Sequence, residues 1–449
     1  MKQNLTTGSV FHAIVYFSLP YLLSYFLQTL YGMADLFIIG QFNGVDSTTA
    51  VSIGSQVMHM LTVIIVGLAM GSTVVIGRAA GRKDTRQANL AIGNTVTLFL
   101  ILAALVTVFL LVFVKPIVSI ISTPKEAAGS TEAYLMICFA GVPFITAYNV
   151  ISSIFRGMGD SKSPMYFVAA ACLSNIVFDY LFIGAMGLGA AGAALGTTLA
   201  QTFSVFLSLF VICRRKMLPG IHRNDFKPQK DMMGMVLKVG IPVAVQDGFI
   251  QVGFIIITIF ANLRGLDDAA AVGIVEKLIG ILFLVPSTML SAVSALSAQN
   301  IGAGKPKRAR LTLRYAVFIS IAFGFIASIA VQFIAEPLVG LFTGQTSVIL
   351  LGGQYLRSYV WDCLLAGIHF SFSGYFCAYG LSGLSFLHNF ISIVCARIPL
   401  AYIASKYFPE TLFPMGIAAP AGSALSVAVC ITALLWLERH PSFYSRNIS

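Results

Sequence analysis

Two aspartates inside otherwise apolar segments are the residues of this sequence best suited to do chemistry. Asp35 and Asp179 each lie in a long stretch of largely uncharged residues, and Asn175 precedes Asp179 by four positions. Residues four apart are neighbours on one face of a helix, so Asn175 and Asp179 are predicted to point the same way. Carboxylates and amide oxygens bind hard cations, and two adjacent carboxylates can share one proton because like charges resist joint ionisation. The pattern therefore indicates a site for a proton or a sodium ion.

The predicted helices bring two hydroxyl residues to the same depth, on the membrane side opposite the N-terminus (the outer side). Asp35 and Asp179 lie close to the outer ends of predicted helices 1 and 5. Thr197 lies about 12 Å into helix 6, which starts from that side. Tyr134 lies near the outer start of helix 4. The alternative interpretation is that both aspartates lie near the interface and are simply solvated.

Composition predicts a membrane protein. Charged residues make up 10% of the chain and apolar residues 57%, whereas soluble domains carry about 25% charged residues. Apolar windows long enough to cross about 30 Å of hydrocarbon as helix recur along the chain. Alternation with period two is absent, which disfavours a barrel. Twelve transmembrane helices are predicted, near 11–39, 51–77, 90–114, 131–154, 164–184, 189–213, 235–262, 271–299, 315–335, 350–378, 386–405 and 414–437.

The sequence also repeats. Gly81 and Gly302 match at an offset of 221, as do Phe155 and Phe376, while Pro20 pairs with Pro242 at an offset of 222. Six spans per half place both halves in the same orientation, which makes the repeat parallel. We therefore predict an all-α integral membrane protein of two pseudo-symmetric six-helix lobes. The expected boundaries are 1–213 for the N-lobe, 214–234 for a cytoplasmic linker and 235–449 for the C-lobe.

Lys and Arg residues set the expected orientation. Twenty of the 28 fall on the side of the N-terminus and four on the opposite side, which predicts cytoplasmic termini in a plasma (inner) membrane. The net charge of +11 thus reflects topology, and a nucleic-acid partner is not expected. Seven scattered cysteines without a CxxC motif indicate neither a disulfide nor a metal framework. No cofactor is expected, and no loop is long enough for an ATPase domain, so transport would depend on an ion gradient or run downhill.

The chain resembles the multidrug and toxic compound extrusion (MATE) transporters over nearly its whole length. The resemblance is carried by Pro20 with Asp35, by the basic loop GRKDTRQA, and by the segments FRGMGDSKSP, NIVFDYLFI and GLGAAGAALGTTLA. It implies two six-helix lobes around a central cavity, and export of mainly cationic amphiphiles in exchange for H⁺ or Na⁺. It also implies a cation site, with Na⁺ as one possible occupant, at Asp35, Asn175, Asp179 and Thr197.

The C-lobe departs from one branch of that family. Those members carry a Glu in helix 7 and an Asp in helix 10, whereas helix 7 here has Gln246 and Asp247, and Asp362 lies about a turn from the family position. Coupling is therefore expected to rest on the N-lobe, with a slight preference for H⁺. Asp247, Glu276 and Asp362 are interpreted first as members of structural ion pairs, with substrate contact as the alternative.

Further expectations concern the substrate and the alternative functions of the protein. Flexible and aromatic side chains suit varied hydrophobic cations, and the candidates for the cavity lining are Gln56, Met60, Gln246, His369 and Tyr375. We expect a monomer in the lipid bilayer that binds small amphiphilic cations. A lipid-linked-sugar flippase of the same superfamily is the main alternative, disfavoured because such proteins often have fourteen spans and an Arg-rich cavity. A membrane-embedded enzyme is less favoured because no His/Asp or paired acidic motif lies at a membrane face.

Overall fold

The computed structural model describes residues 5–121, 123–214 and 220–440, and the regular structure in these ranges is entirely helical. Residues 215–219 of the predicted linker, and residues 1–4 and 441–449 of the predicted lobes, lie outside the described residues. The described residues form two compact units: residues 19–214 with 220–237, and residues 5–18 with 238–440. We refer to them as the first and the second unit.

The first unit is built mainly from the helices of the first half of the chain. These are α1 (Val10–Phe42), α2 (Val45–Gly81), α3 (Thr85–Val112), α4 (Val114–Ile120), α5 (Lys125–Ala140), α6 (Val142–Gly157), α7 (Lys162–Asp179) and α8 (Gly189–Arg214). A π-helical segment, Tyr180–Ala185, continues α7, and a short 3₁₀ turn, Arg223–Phe226, precedes the next long helix.

The second unit holds most of the remaining helices. These are α9 (Lys230–Arg264), α10 (Leu266–Leu282), α11 (Leu284–Gly302), α12 (Pro306–Gly340), α13 (Thr346–Tyr359), α14 (Asp362–Ala378), α15 (Ser382–Ser392), α16 (Ile398–Tyr407) and α17 (Phe413–Arg439). A π-helical segment, Ile393–Arg397, joins α15 to α16.

Helices with the length and hydropathy to cross a membrane account for most of the predicted spans. Ten qualify within the described residues, and α5 with α6 forms an eleventh that bends by 47° at Gly141. The predicted tenth span, 350–378, is divided between the shorter helices α13 and α14. Helices satisfy their own backbone hydrogen bonds, which is why they can cross a layer that offers no water.

The repeat is visible in the turns that follow corresponding helices. Gly159 and Gly380, paired by the sequence offset, both have positive φ, at 87° and 71°. The turns close with equivalent hydrogen bonds, from the N–H of Asp160 to the carbonyl of Phe155 and from the N–H of Leu381 to that of Phe376, each 2.9 Å long. A left-handed residue just after a helix is the usual way to satisfy its last carbonyls, and glycine adopts it without steric cost.

Two long helices each belong to both units. Residues 10–18 of α1 group with the second unit and residues 19–42 with the first, so the division falls immediately before Pro20. Likewise residues 230–237 of α9 group with the first unit and the rest with the second, shortly before Pro242. Each proline lacks the N–H that would complete the preceding turn, which weakens the helix there.

The segment before each of these helices is fixed by polar side chains of the unit to which it belongs. In the second unit, Arg308 donates to the carbonyls of Gly8 and Thr7 at 2.7 Å, and Lys305 donates to that of Thr6 at 2.8 Å. In the first unit, Asn94 and Thr97 of α3 make the equivalent attachment to the backbone of residues 225–229.

Candidate functional site

Asp35 and Asp179 meet inside the first unit. Asp35 lies in the last third of α1 and Asp179 is the final residue of α7, and their side chains are 2% and 0% exposed. Their carboxyl groups are close enough to interact as a hydrogen-bonded pair when a proton lies between them. The π-helical turn that begins at Tyr180 locally widens the helix next to Asp179, and such segments are frequent at functional sites.

A hydroxyl and an amide complete this cluster. Thr197 of α8 donates a 2.9 Å hydrogen bond to Oδ2 of Asp35. Asn175, one turn before Asp179, lies beside the Asp35 carboxyl and is 1% exposed. Oδ1 of Asp35, both carboxyl oxygens of Asp179 and both polar atoms of Asn175 have no hydrogen-bond partner among the described residues. We call Asp35, Asn175, Asp179 and Thr197 the acidic cluster.

A small residue makes room for the second carboxylate. A Cβ at Gly196 of α8 would overlap Oδ1 of Asp179, so any larger residue would have to displace that carboxyl group. The run GAAGAALG at the start of α8 thus lets α7 and α8 approach closely. The glycine pattern positions the carboxylate as well as the helices.

Tyr134, the fifth predicted member, lies next to the acidic cluster and bonds elsewhere. It is 2% exposed on α5, and its hydroxyl is 3.1 Å from Oγ of Ser55. Its ring packs against Gly54, where a Cβ would not fit, and its interaction with Asp35 is electrostatic.

The acidic cluster contains no cation of its own. Five ion pairs occur among the described residues, and none involves Asp35 or Asp179. Two buried carboxylates without a counter-ion are costly in an apolar surrounding, so they call for a bound cation or a proton. Both carboxylates, the amide oxygen and the threonine hydroxyl offer the oxygen donors that a hard cation prefers. The arrangement fits either H⁺ or Na⁺.

The second unit contains a different polar centre. Nη2 of Arg397 donates to Oδ2 of Asp362 and to the hydroxyl of Tyr359, both at 2.7 Å. Glu276 accepts a 3.1 Å hydrogen bond from Thr258 and lies within electrostatic range of Arg397. We call Asp362, Arg397, Tyr359, Glu276 and Thr258 the arginine cluster. The positive charge of the Arg397 guanidinium therefore compensates the carboxylate charge inside the arginine cluster itself.

The predicted cavity residues fall into two groups. Gln56 and Met60 are exposed on α2 of the first unit. Gln246, His369 and Tyr375 are buried in the second unit, where Gln246 accepts from Ser385 at 2.6 Å and His369 lies 3.3 Å from Oγ of Ser423. Substrate contact by all five stays a prediction.

Sequence reasoning missed Tyr31 and Gln201. Tyr31 lies one turn before Asp35 on α1, and Gln201 lies one turn after Thr197 on α8. Nε2 of Gln201 donates to the Tyr31 hydroxyl at 3.4 Å, which extends the polar contact away from Asp35. Tyr31 is four residues from Asp35 and Gln201 is four residues from Thr197. This spacing, which places each on the same helix face as a predicted site residue, was the signal that could have identified both.

Taken together, the many apolar spans, the internal repeat and the buried uncompensated carboxylates define a multi-pass membrane transporter. The family model MatE matches residues 20–181 and again residues 242–403, so its two copies begin at the paired prolines. The chain therefore belongs to the MatE family of multidrug efflux transporters and is not an enzyme.

Curated relatives and solved structures match nearly the whole length of this chain. The chain is 26% identical over 435 residues to "Probable multidrug resistance protein YoeA" of Bacillus subtilis, covering 95% of this chain and 94% of that protein. It is 26% identical over 405 residues to "Multidrug export protein MepA" of Staphylococcus haemolyticus, covering 90% and 89%. A structure described as the outward-facing conformation of a multidrug resistance MATE family transporter superposes with a TM-score of 0.91 at 22% identity, covering 99% of both chains. The predicted two-lobe, all-α fold is confirmed.

Proposed function

We propose that this protein is an antiporter that exports small amphiphilic, mainly cationic compounds in exchange for a cation bound at the acidic cluster. It is supported by the buried oxygen atoms of the acidic cluster: Oδ1 of Asp35, both carboxyl oxygens of Asp179 and Oδ1 of Asn175 have no partner, and no basic side chain pairs with them, among the described residues. The relatives named for multidrug resistance and export support the substrate class. The protein acts as a monomer in the inner membrane, with cytoplasmic termini and no cofactor.

Exchange follows from the charge of the site. When the driving cation leaves, the paired carboxylates carry uncompensated charge in an apolar lobe, and the conformation that admits a new cation is favoured. Substrate and cation must stabilise opposite states, because a ligand shifts an equilibrium only through its differential affinity. The lobes, at 1–213 and 235–449, then open the cavity alternately to each side of the membrane.

We favour H⁺ over Na⁺ as the driving cation. A proton shared by Asp35 and Asp179 needs only the two carboxyl groups, whereas Na⁺ needs several oxygen ligands at once. Thr197 and Asn175 offer the further oxygen ligands that Na⁺ would need, and imposed proton and sodium gradients distinguish the two cations. Tyr134 supports the acidic cluster from α5 without ligating the cation.

The decisive experiment uses purified protein in liposomes with an imposed proton or sodium gradient and a fluorescent cationic dye as substrate. The Asp35→Asn variant is expected to reduce gradient-driven dye transport to the level of empty liposomes. The exposed Asp46→Asn variant, which removes a carboxylate from the first turn of α2, is expected to transport like the wild type. Undiminished transport by Asp35→Asn would overturn the proposed function, and transport driven by a sodium gradient alone would overturn the preference for H⁺.

A further inference from the structure

A stripe of polar residues follows one face of α1 away from Asp35. Tyr21, Tyr25, Gln28, Tyr31 and Asp35 are spaced by three or four positions, which places them on one side of the helix. At 1.5 Å per residue the stripe is about 21 Å long. The stripe places a hydroxyl, amide or carboxyl group at each turn of α1 between Tyr21 and Asp35.

Contacts from α8 connect the acidic cluster to the stripe. Thr197 bonds to Asp35, and Gln201, one turn further, bonds to Tyr31. Oε1 of Gln201 has no partner among the described residues. Tyr31 also lies within electrostatic range of both Asp35 and Tyr148. A hydroxyl group thus stands between the carboxylate and the next polar region.

A polar cavity continues the stripe at its other end. It has a volume of about 20 Å³, enough for about one water molecule, and lies within the first unit. Its lining includes Tyr21, Tyr25 and Gln28 of α1 together with Tyr148 and Arg156 of α6. The Tyr148 hydroxyl lies near the side chains of both Gln28 and Arg156. A cavity lined by several polar groups can hold water, which would bridge Gln28 and Tyr148.

Arg156 stands at the far end of this cavity. It is 7% exposed, and its guanidinium lies 5.0 Å above the ring of Tyr21. Within the described ranges its guanidinium makes neither an ion pair nor a hydrogen bond. Aromatic faces attract a guanidinium, so Tyr21 fixes the position of the charge. Tyr21 directly follows Pro20, so bending of α1 would move the ring that holds Arg156.

We propose that the first unit contains an internal proton route from Asp35 through Tyr31, Gln28 and Tyr148 to this cavity, and that Arg156 is the electrostatic gate at its end. This proposal rests on the proposed function, because the route serves the cation exchanged at the acidic cluster. A fixed positive charge in a narrow passage opposes the entry of cations, protons included. The gate is closed while Arg156 is held over Tyr21, and it opens when α1 bends and withdraws the ring. In the proposed orientation the route leads to the cytoplasm.

Proton leak through proteoliposomes tests the gate. Liposomes that contain a trapped pH-sensitive dye receive a pH step without substrate. Arg156→Gln is expected to raise the leak about tenfold over the wild type, because a barrier of about 1.4 kcal/mol is removed. Arg156→Lys keeps the charge and the cation–π contact, so its leak should stay near the wild-type level. Adding Asp35→Asn to Arg156→Gln should abolish the extra leak, since the route then has no proton acceptor.

Substrate-driven proton uptake tests the route. Tyr31→Phe and Tyr148→Phe are expected to slow uptake several-fold while leaving the KM for the dye unchanged. Tyr166→Phe, at a tyrosine of α7 that is 62% exposed, is the matched control and should behave like the wild type. Extra leak by Arg156→Gln that persists with Asp35→Asn, or wild-type uptake by both tyrosine variants, would overturn the route. If Asp35→Asn alone transports dye normally, the proposed function has failed instead.

Discussion

Both units bury carboxylates in membrane-spanning helices, but they differ in how the negative charge is compensated. In the second unit, Asp362 is 0% exposed and is bound by Arg397 at 2.7 Å, with Tyr359 sharing the same guanidinium nitrogen. In the first unit, Asp35 and Asp179 are as deeply buried, yet no basic side chain of the described residues pairs with them.

The difference separates permanent from exchangeable charge compensation. A covalently attached guanidinium cannot leave Asp362, so the arginine cluster is suited to hold α13, α14 and the π-helical segment Ile393–Arg397 together. A proton or metal ion can leave the acidic cluster and return. Only the latter can transmit an ion gradient, because coupling requires a ligand whose occupancy changes during the cycle.

The largest expected effect comes from breaking the permanent pair. Arg397→Leu would leave Asp362 buried without its counter-ion, which typically destabilises a protein by about 3–5 kcal/mol. The thermal unfolding midpoint of the purified protein in detergent measures the loss. The matched control is Arg357→Leu, since Arg357 pairs with Glu336 at 2.6 Å but both side chains are about 30% exposed. That pair should contribute about 1 kcal/mol or less, and equal losses for the two variants would contradict the comparison.

A smaller effect is expected from crowding the acidic cluster. Gly196→Ala places a methyl group against Asp179, and such overpacking typically costs about 1–3 kcal/mol. Both the unfolding midpoint and dye transport should fall. Gly280→Ala on α10, where a Cβ meets no atom within 4 Å, is the control and should be neutral or slightly stabilising. A Gly196→Ala variant with wild-type stability and transport would show that the position of the Asp179 carboxyl is not constrained as described.

The smallest expected effect is a difference in transport rate between variants of two threonines. Each threonine donates a hydrogen bond to a carboxylate. Thr197 donates to Asp35 and Thr258 donates to Glu276, at 2.9 and 3.1 Å. Thr197→Val removes a hydrogen bond to the exchanging carboxylate, worth about 1.5 kcal/mol, so the dye transport rate should fall by up to about tenfold. Thr258→Val should leave the rate within about twofold of the wild type, because Glu276 takes no part in exchange. Similar rate losses in the two variants would assign coupling to both units.

Depth along the predicted helices placed the four residues of the acidic cluster and Tyr134 at one level, and the family resemblance selected the four. Asp35, Asn175, Asp179 and Thr197 lie where helix spacing and span boundaries put them, because a transmembrane helix converts residue number into depth reliably. The sequence predicted an ion pair for Asp362 but did not select Arg397 as its partner, since rotation of each helix about its axis is set by packing that spacing does not encode. The π-helical segments also depend on local packing, whereas the bend at Gly141 was missed although Pro143 signals a break in the helix. The membership of α1 in both units was also missed, because contacts of residues 5–8 with Arg308 and Lys305 are long-range.

The measurement that tests the central claim most directly is proton release from the purified protein when substrate binds. A saturating amount of a cationic dye is added to detergent-solubilised protein in weakly buffered solution, and the pH change is recorded. If the acidic cluster exchanges a proton for substrate, the wild type should release about one proton per bound dye, since the coupled carboxylates titrate as one unit. Glu276→Gln should release the same amount and Asp35→Asn none. Release that survives Asp35→Asn, or that disappears with Glu276→Gln, would contradict the assignment of ion exchange to the first unit.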